Sequence, residues 1–159
     1  MKRARSRISM PANAMGSLAM LHIRQLDHLV LRVTDLPAMM RFYMDVIGCT
    51  LEKTQEELGL YQLRAGSSLI DLVPVDGPLG KRGGPAAGKE ARNLDHFCLQ
   101  IDPYDADAII AHLKKHGAEP GPVTSRYGAA GQGPSIYVPD PEGNVVELKG
   151  PPWPAGVAH

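Results

Sequence analysis

The chain is 159 residues long, enough for one domain with a substantial core, and its 17 basic and 17 acidic residues give a formal net charge of zero. This balance argues against nucleic acid as a partner, and no apolar run is long enough to cross a membrane. Two cysteines are too few for a disulfide framework, so we expect reduced thiols and a cytoplasmic protein. We expect residues 1–21 to form a flexible N-terminal tail, residues 22–150 the domain, and residues 151–159 a C-terminal tail.

The first half of the domain, about residues 23–75, is predicted to contain one strand, one helix and three further strands. Residues 23–33 are rich in Leu and Val, which is typical of a strand. Residues 34–48 carry an apolar stripe at helical spacing, with Thr34 or Asp35 as the N-cap and a glycine at the end. The three strand-like segments that follow are residues 49–57, 59–66 and 68–75.

The second half, about residues 94–150, repeats this order of elements. A strand at residues 93–102 and a helix at residues 105–117 precede a short strand with a glycine-rich turn at residues 121–133. The last two predicted strands are residues 134–140 and 144–150. Residues 76–93 join the halves and are rich in Gly, Pro and charge, which predicts a mobile loop. The expected fold class is therefore α+β, with two βαβββ modules.

Both halves carry the same tripeptide on the first strand and one carboxylate on the last strand. Leu-Asp-His ends at His28 and again at His96, and the carboxylates are Asp71 and Glu147. Because alternate residues of a strand face the same side, all four side chains can converge if the modules pair. Two imidazoles and two carboxylates suit a divalent ion such as Ni, Co, Zn, Mn or Fe, with room left for water or substrate.

Taken singly, each of these four residues has an ordinary explanation. A histidine in an apolar strand is commonly a hydrogen-bonded core residue, and a lone carboxylate can face solvent. An ionised carboxylate inside a strand rich in Val and Leu is nevertheless costly unless it is paired or metal-bound. Two such strands in register with two histidine-bearing strands favour a metal site for the set.

The segments "LDHLVLRVTDLPAMMRFYMDVIGC", "LDHFCLQI" and "YVPDPEGNVVELKG" resemble the vicinal oxygen chelate superfamily. That superfamily includes glyoxalase I, extradiol dioxygenases, fosfomycin-resistance enzymes and bleomycin-resistance proteins. The resemblance covers about residues 23–150 and implies paired βαβββ modules that form a curled mixed sheet around a metal site. It implies metal ligands at His28, His96 and Glu147. The fourth glyoxalase I ligand, a glutamate, corresponds to Asp71, which is one methylene shorter and ligates directly, through water, or not at all.

The resemblance implies three candidate functions. Extradiol dioxygenases match around Tyr137 and Glu147, but they keep a catalytic histidine where residues 128–130 are Gly-Ala-Ala. Glyoxalase I matches at Arg32, which corresponds to an arginine that helps bind glutathione, but its other glutathione contacts are missing. Bleomycin-resistance proteins bind drug without metal and usually lack this ligand set. We therefore expect a glyoxalase I-like, metal-dependent lyase or isomerase that is not glutathione-specific, with an extradiol-type dioxygenase and a metal-free drug-binding protein as alternatives.

In the expected mechanism the metal holds two vicinal oxygens of a small substrate and stabilises an enediolate-like anion. Glu147 is the expected proton shuttle, because a metal-bound glutamate plays that part in glyoxalase I, and Asp71 is the alternative base. Tyr137 either donates to a substrate oxygen or packs on its strand, and Arg32 either binds a substrate carboxylate or phosphate or forms an ordinary ion pair. Cys98 shares the face of His96 and is expected to be a small core residue. The resemblance implies modules that pair either within one chain or across a dimer; because modules of this family commonly need a partner to close the site, we expect a homodimer.

Overall fold

The computed structural model describes residues 21, 23–90 and 92–155. Most of the predicted tail, residues 1–20, and residues 156–159 therefore lie outside the described residues. The elements, in chain order, are β1 (His28–Val33), α1 (Leu36–Arg41), a π-helix (Phe42–Val46), β2 (Thr50–Gln55), a 3-10 helix (Glu56–Leu58), β3 (Leu60–Ala65), β4 (Ser68–Pro74), a second 3-10 helix (Gly80–Gly83), β5 (Phe97–Gln100), α2 (Ala106–Lys115), β6 (Thr124–Gly128), β7 (Gly131–Pro139) and β8 (Val145–Lys149).

The strands form two four-stranded mixed sheets, with the orders β1-β4-β3-β2 and β5-β8-β7-β6. In each sheet the first strand pairs with the last strand in parallel, and the remaining neighbours are antiparallel. The first module and the second module thus share one topology, and the predicted α+β fold of two βαβββ modules is confirmed. No helix among the described residues is long and apolar enough to cross a membrane.

The register of the parallel pairs shows that the two modules are equivalent in detail. Val30 pairs with Asp71 in the first sheet, and Cys98 pairs with Glu147 in the second. Val30 lies two residues after His28, and Cys98 lies two residues after His96. His28 is the first residue of β1, and His96 immediately precedes β5. The repeated tripeptide therefore occupies the same place in both modules, as its sequence predicted.

The first helix begins as predicted but does not continue as one regular α-helix. Asp35 is the N-cap, and its side chain accepts a hydrogen bond from the backbone N–H of Ala38 at 2.9 Å. After Arg41 the hydrogen bonds lengthen by one residue into the π-helix, as in the bond from the Ile47 N–H to the Phe42 carbonyl at 3.0 Å. Both aromatic residues at this widened turn, Phe42 and Tyr43, are buried in the core.

The glycine-rich stretch of the second module is a second difference from the prediction. Most of it belongs to strands, because β6 runs to Gly128 and β7 begins at Gly131. Glycine at position 133 lets another part of the chain approach closely: a Cβ there would lie 2.4 Å from the carbonyl oxygen of Pro151. Trp153 secures this packing by donating from its indole N–H to the Ser125 hydroxyl at 3.0 Å.

One apolar cluster contains buried residues from both modules, so the modules share a core. The Tyr43 ring stacks on Phe97 of the second module with centroids 6.4 Å apart. Its hydroxyl donates to the buried Asp140 carboxylate at 2.9 Å. The backbone N–H groups of Thr34 and Asp35 also donate to the Glu142 carboxylate, at 2.5 and 2.7 Å. These contacts join the start of the first helix to the turn between β7 and β8.

Candidate metal centre

The side chains on one face of each sheet follow the predicted alternation. On β1, His28, Val30 and Arg32 alternate with Leu31 and Val33, which are buried in the core. On β8 the predicted face carries Glu147, and this strand is covered on both sides. The face that bears the histidine and the carboxylate is therefore opposite the common core in both modules.

In the second module the structure brings the predicted histidine and carboxylate together. The His96 Nε2 lies 3.3 Å from the Glu147 Oε2, and the Glu147 side chain is only 7% exposed. The other carboxylate oxygen, Oε1, accepts a hydrogen bond of 2.5 Å from the hydroxyl of the buried Ser135. The serine thus fixes one oxygen of the carboxylate and leaves the other oxygen directed at the imidazole.

Both histidines are held by the aspartate that precedes them in the repeated tripeptide. The Asp27 carboxylate lies 2.8 Å from the His28 Nδ1, and the Asp95 carboxylate lies 2.7 Å from the His96 Nδ1. The hydrogen bond with Asp27 raises the pKa of His28. A carboxylate at Nδ1 favours the tautomer that carries its proton there, so the lone pair is on Nε2. This is the orientation in which histidines bind metal ions.

In the first module the carboxylate is buried but is not in direct contact with its histidine. Asp71 is 3% exposed, and burial raises the pKa of its carboxyl. The Gln62 side-chain amide, on the neighbouring strand, donates to the Asp71 Oδ2 at 3.1 Å. His28 acts on Asp71 only through its charge. Asp71 and Gln62 occupy the places that Glu147 and Tyr137 hold in the second module.

The chain therefore presents two imidazole–carboxylate pairs rather than one group of four. Within residues 21, 23–90 and 92–155, no three or more His, Cys, Asp or Glu side chains are close enough together to hold a metal ion. The donor chemistry still fits a divalent ion, because a buried carboxylate oxygen and an oriented imidazole nitrogen lie side by side at Glu147 and His96. A complete set needs the pair at His28 and Asp71 to meet this pair.

Arg32 is predicted to bind substrate or to form an ion pair, but in this structure it binds the backbone of the linker. Its guanidinium donates to the carbonyls of Gly80, Gly83 and Pro85 at 3.0–3.1 Å, and also to that of Gly84. Part of the linker predicted to be a mobile loop is thereby fixed to β1. The hydrogen-bond acceptors of this strand arginine are thus backbone carbonyls.

Two other residues near the second pair have defined contacts. The Tyr137 ring meets the His96 ring edge to face, with centroids 5.4 Å apart. Cys98 is exposed, so the expectation that it is a core residue is wrong. Although the residue as a whole is exposed, partial burial of its sulfur atom, with the Glu147 carboxylate nearby, raises the pKa of Cys98 to about 12. At neutral pH this sulfur is a protonated thiol, which is a poor nucleophile.

Sequence reasoning missed four residues at or beside the site: two aspartates, one serine and one arginine. Asp27 and Asp95 precede the histidines in the repeated tripeptide, a sequence signal that the prediction of metal ligands leaves unused. Ser135 could have been found from the alternation of β7, because it lies two residues before Tyr137 and thus shares its face. No sequence signal pointed to Arg126, whose guanidinium lies 6.0 Å from the centre of the Tyr137 ring.

The fold and its repeated pairs define a protein of two βαβββ modules, each of which presents an imidazole and a carboxylate on one face of its sheet. The chain belongs to the Glyoxalase/Bleomycin resistance protein/Dioxygenase superfamily, whose family profile matches residues 25–148.

Relatives and solved structures agree with this assignment. The glyoxalase domain-containing protein RDO1 of Mycosarcoma maydis is 35% identical over 130 residues, which cover 80% of this chain and 69% of RDO1. An integron cassette protein from the mobile metagenome of V. cholerae has a TM-score of 0.66 at 28% identity, with 82% of this chain and 98% of that chain covered. The virulence protein STM3117 of Salmonella typhimurium has the same TM-score at 25% identity, with 82% and 99% covered.

More distant structures share the fold at 21–22% identity and TM-scores of 0.56–0.59. They include a lactoylglutathione lyase from Agrobacterium tumefaciens, a fosfomycin resistance protein from Listeria monocytogenes and an antibiotic-binding protein from Streptomyces. This fold therefore serves enzymes and binding proteins alike, and the likeness alone does not select a reaction.

Proposed function

We propose that the chain is a metal-dependent enzyme of the glyoxalase I type, a lyase or isomerase acting on a small substrate with two vicinal oxygens. The observation that carries this proposal is the second pair: the buried Glu147 carboxylate lies 3.3 Å from the His96 Nε2, and Asp95 orients that imidazole from behind. A binding site for an apolar drug has no need of such a pair, because burying a carboxylate beside an imidazole costs desolvation energy. The pair is better explained by a divalent ion, such as Ni, Co, Zn, Mn or Fe.

The protein residues bind the metal ion, transfer the proton and donate a hydrogen bond to the substrate. When bound, the metal ion supplies Lewis-acid stabilisation of negative charge on the substrate oxygens. His96, Glu147 and His28 would hold it, and Asp71 would complete the set directly or through water. Glu147 moves the proton next to the substrate carbonyl, since Ser135 holds only one of its two oxygens. Tyr137 lies beside His96 and is placed to donate its hydroxyl to a substrate oxygen.

The partner that completes the site is proposed to be a second copy of the chain. Each chain carries two half-sites, and a two-fold dimer can bring the first pair of one chain to the second pair of the other. We also propose that the protein acts in the cytoplasm, which suits the free thiols of Cys49 and Cys98.

The extradiol dioxygenase remains the second enzymatic candidate. Such an enzyme needs an acid–base group near the metal, and the sequence has Gly128, Ala129 and Ala130 where the family's dioxygenases keep a histidine. The glycine and the two alanines at these three positions offer no replacement proton donor. Glutathione is likewise not proposed as a substrate component, since Arg32 is engaged with the linker carbonyls.

The decisive first experiment is metal analysis of protein purified without added metal. The wild type should retain one divalent ion per site after dialysis, and His96→Ala should lose most of it, because removing one imidazole from a small ligand set is severe. His116→Ala, an exposed histidine on the end of α2, is the matched control and should retain the metal. Equal metal content in wild type and His96→Ala would contradict the proposal and raise the drug-binding alternative.

The chemistry is tested with Glu147→Gln, which keeps the size of the side chain but removes its basicity. Solvent-proton exchange next to the carbonyl of a small hydroxycarbonyl substrate should fall by roughly 100-fold or more after normalisation to metal content. Exchange that persists at full metal occupancy would exclude Glu147 as the base and point to Asp71. Oxygen uptake with a catechol by the Fe(II)-loaded protein would instead favour the dioxygenase.

A further inference from the structure

The exposed Arg126 is separated from the proposed metal-binding pair, His96 and Glu147, by the ring of Tyr137. Arg126 is on β6, where it pairs with Gly133 of β7. Its guanidinium carbon lies 6.0 Å from the centre of the Tyr137 ring, and the same ring contacts His96 edge to face at 5.4 Å. A positive charge is therefore held on the second module, beside the pair formed by His96 and Glu147.

Two other cations on these faces, Lys149 and Arg32, are engaged with protein acceptors. Lys149 is buried, and its ammonium donates to the carbonyls of Arg126 and Gly133. Arg32 donates to the linker carbonyls. By contrast, the Arg126 guanidinium makes one hydrogen bond within the described part of the chain, from one terminal nitrogen to the carbonyl of the adjacent Ser125 at 3.2 Å. It meets no carboxylate among the described residues.

We infer that Arg126 is a binding site for an oxyanionic group of the substrate, a carboxylate, phosphate or phosphonate. This inference rests on the proposed function, since it gives the metal-bound molecule a second point of attachment. A guanidinium that lies over an aromatic ring keeps N–H donors directed away from that ring, and two of them match two oxygens of one oxyanion. The substrate class is thus a small molecule with two vicinal oxygens at one end and an oxyanion at the other, and Tyr137 separates the two binding points.

Anion binding at Arg126 is tested first in metal-free protein, so that the result of this test does not depend on the metal site. Methyl phosphate and acetate are titrated into metal-free protein, and the binding is followed by amide chemical shifts in two-dimensional NMR spectra. Wild type should bind at least one of them in the millimolar range, with shifts around Arg126 and Tyr137. Arg126→Gln should weaken that binding by roughly tenfold, while Arg41→Gln, a surface arginine on α1, should not. Equal binding by wild type and Arg126→Gln would overturn the inference.

The second arm uses Mn(II)-loaded protein and two chelators with the same metal-binding group. Acetohydroxamate carries no anionic group besides its chelating hydroxamate, whereas phosphoglycolohydroxamate adds a phosphate. By calorimetry, wild type should bind the phosphate compound at least about tenfold more tightly, and Arg126→Gln should lose this gain without changing its affinity for acetohydroxamate. A gain that survives in Arg126→Gln would overturn the inference. Failure of both chelators to bind wild type would contradict the proposed metal site instead, while the metal-free arm would still decide the role of Arg126.

Discussion

At the scale of single residues, the aspartate in each Leu-Asp-His repeat has a structural consequence for the histidine that follows it. Asp27 and Asp95 lie within 2.8 Å of an imidazole Nδ1, and both side chains are otherwise highly exposed. An exposed carboxylate that orients a histidine adds little to stability, because surface ion pairs contribute little. We expect the aspartate to affect instead the affinity of the other imidazole nitrogen, Nε2, for a metal ion.

Replacing Asp95 by Asn should therefore weaken metal binding more than it weakens the fold. The amide removes the negative charge behind the imidazole, and we expect a loss of roughly 10- to 100-fold in affinity for a divalent ion. Competitive titration with a metallochromic chelator measures this loss, and Asp107→Asn on α2 serves as the control. An unchanged affinity in Asp95→Asn would show that the aspartate has no part in ligand orientation.

The buried thiol of Cys49 gives a residue-scale prediction about pH. Burial raises the pKa of Cys49 from its ordinary 9.0 to about 11, so above pH 9 the unfolded chain loses this proton before the native protein does. The native state then binds more protons, and the free energy of unfolding falls as pH rises from about 9 to 11, by on the order of 2 kcal/mol. In Cys49→Ala this part of the decline should be missing, which urea unfolding at pH 8, 9.5 and 11 would show. Parallel declines in both proteins would contradict the prediction.

At the scale of elements, the linker between the modules is more ordered than its composition suggests. Glycine and proline in residues 76–93 predict mobility, yet the segment forms a 3-10 helix and lies against Arg32. Gly83 permits this approach, because a Cβ there would lie 2.5 Å from the guanidinium carbon of Arg32. The glycines here allow close contact as well as flexibility.

Removing the arginine should release this segment to proteases. The linker contains its own trypsin sites at Lys81 and Arg82, and Arg32→Gln removes the hydrogen bonds to the neighbouring carbonyls. We expect cleavage after Lys81 or Arg82 to become several-fold faster than in wild type, because local opening governs proteolysis of a folded chain. Mass spectrometry of timed digests identifies the sites, and Arg126→Gln is the control. Equal cleavage rates would mean that the arginine does not restrain the linker.

At the scale of the whole molecule, the two imidazole–carboxylate pairs do not form one group within the described part of a single chain. The common core holds the modules together through the contacts of Tyr43 with Phe97 and Asp140. That core lies on the faces opposite the histidines, so folding of a single chain leaves the two imidazole–carboxylate pairs apart. Exposed apolar residues near the start of β1, Leu26 and Val30 among them, offer surface that a second copy can bury.

A mixing experiment tests whether the site is shared between chains. His28→Ala and His96→Ala should each bind little metal alone, because every site of either dimer lacks one imidazole. In a mixed dimer, one site combines the intact first module of one chain with the intact second module of the other. After unfolding and refolding together, roughly one quarter of wild-type metal binding should return, since half of the dimers are mixed and each has one intact site. No recovery would place the complete site within one chain.

The sequence by itself determined the module repeat, the order of the strands and the positions of His28, His96, Asp71 and Glu147. These follow from local rules: apolar periodicity, turn residues and alternation along a strand act over a few neighbouring residues, and a repeated pattern doubles the signal. The hydrogen-bond register confirmed that the two modules place their carboxylates equivalently.

Tertiary structure alone decided which of these residues meet and which cations remain available for a ligand. Arg32 and Arg126 are both strand arginines in sequence, yet Arg32 is engaged by a loop about 50 residues away, whereas Arg126 lies over the Tyr137 ring, beside the candidate metal site. The π-helical turn and the separation of the two pairs likewise depend on packing between modules. Such contacts join residues far apart in the chain, and their free energy comes from burial and charge in the folded state, which no local pattern encodes.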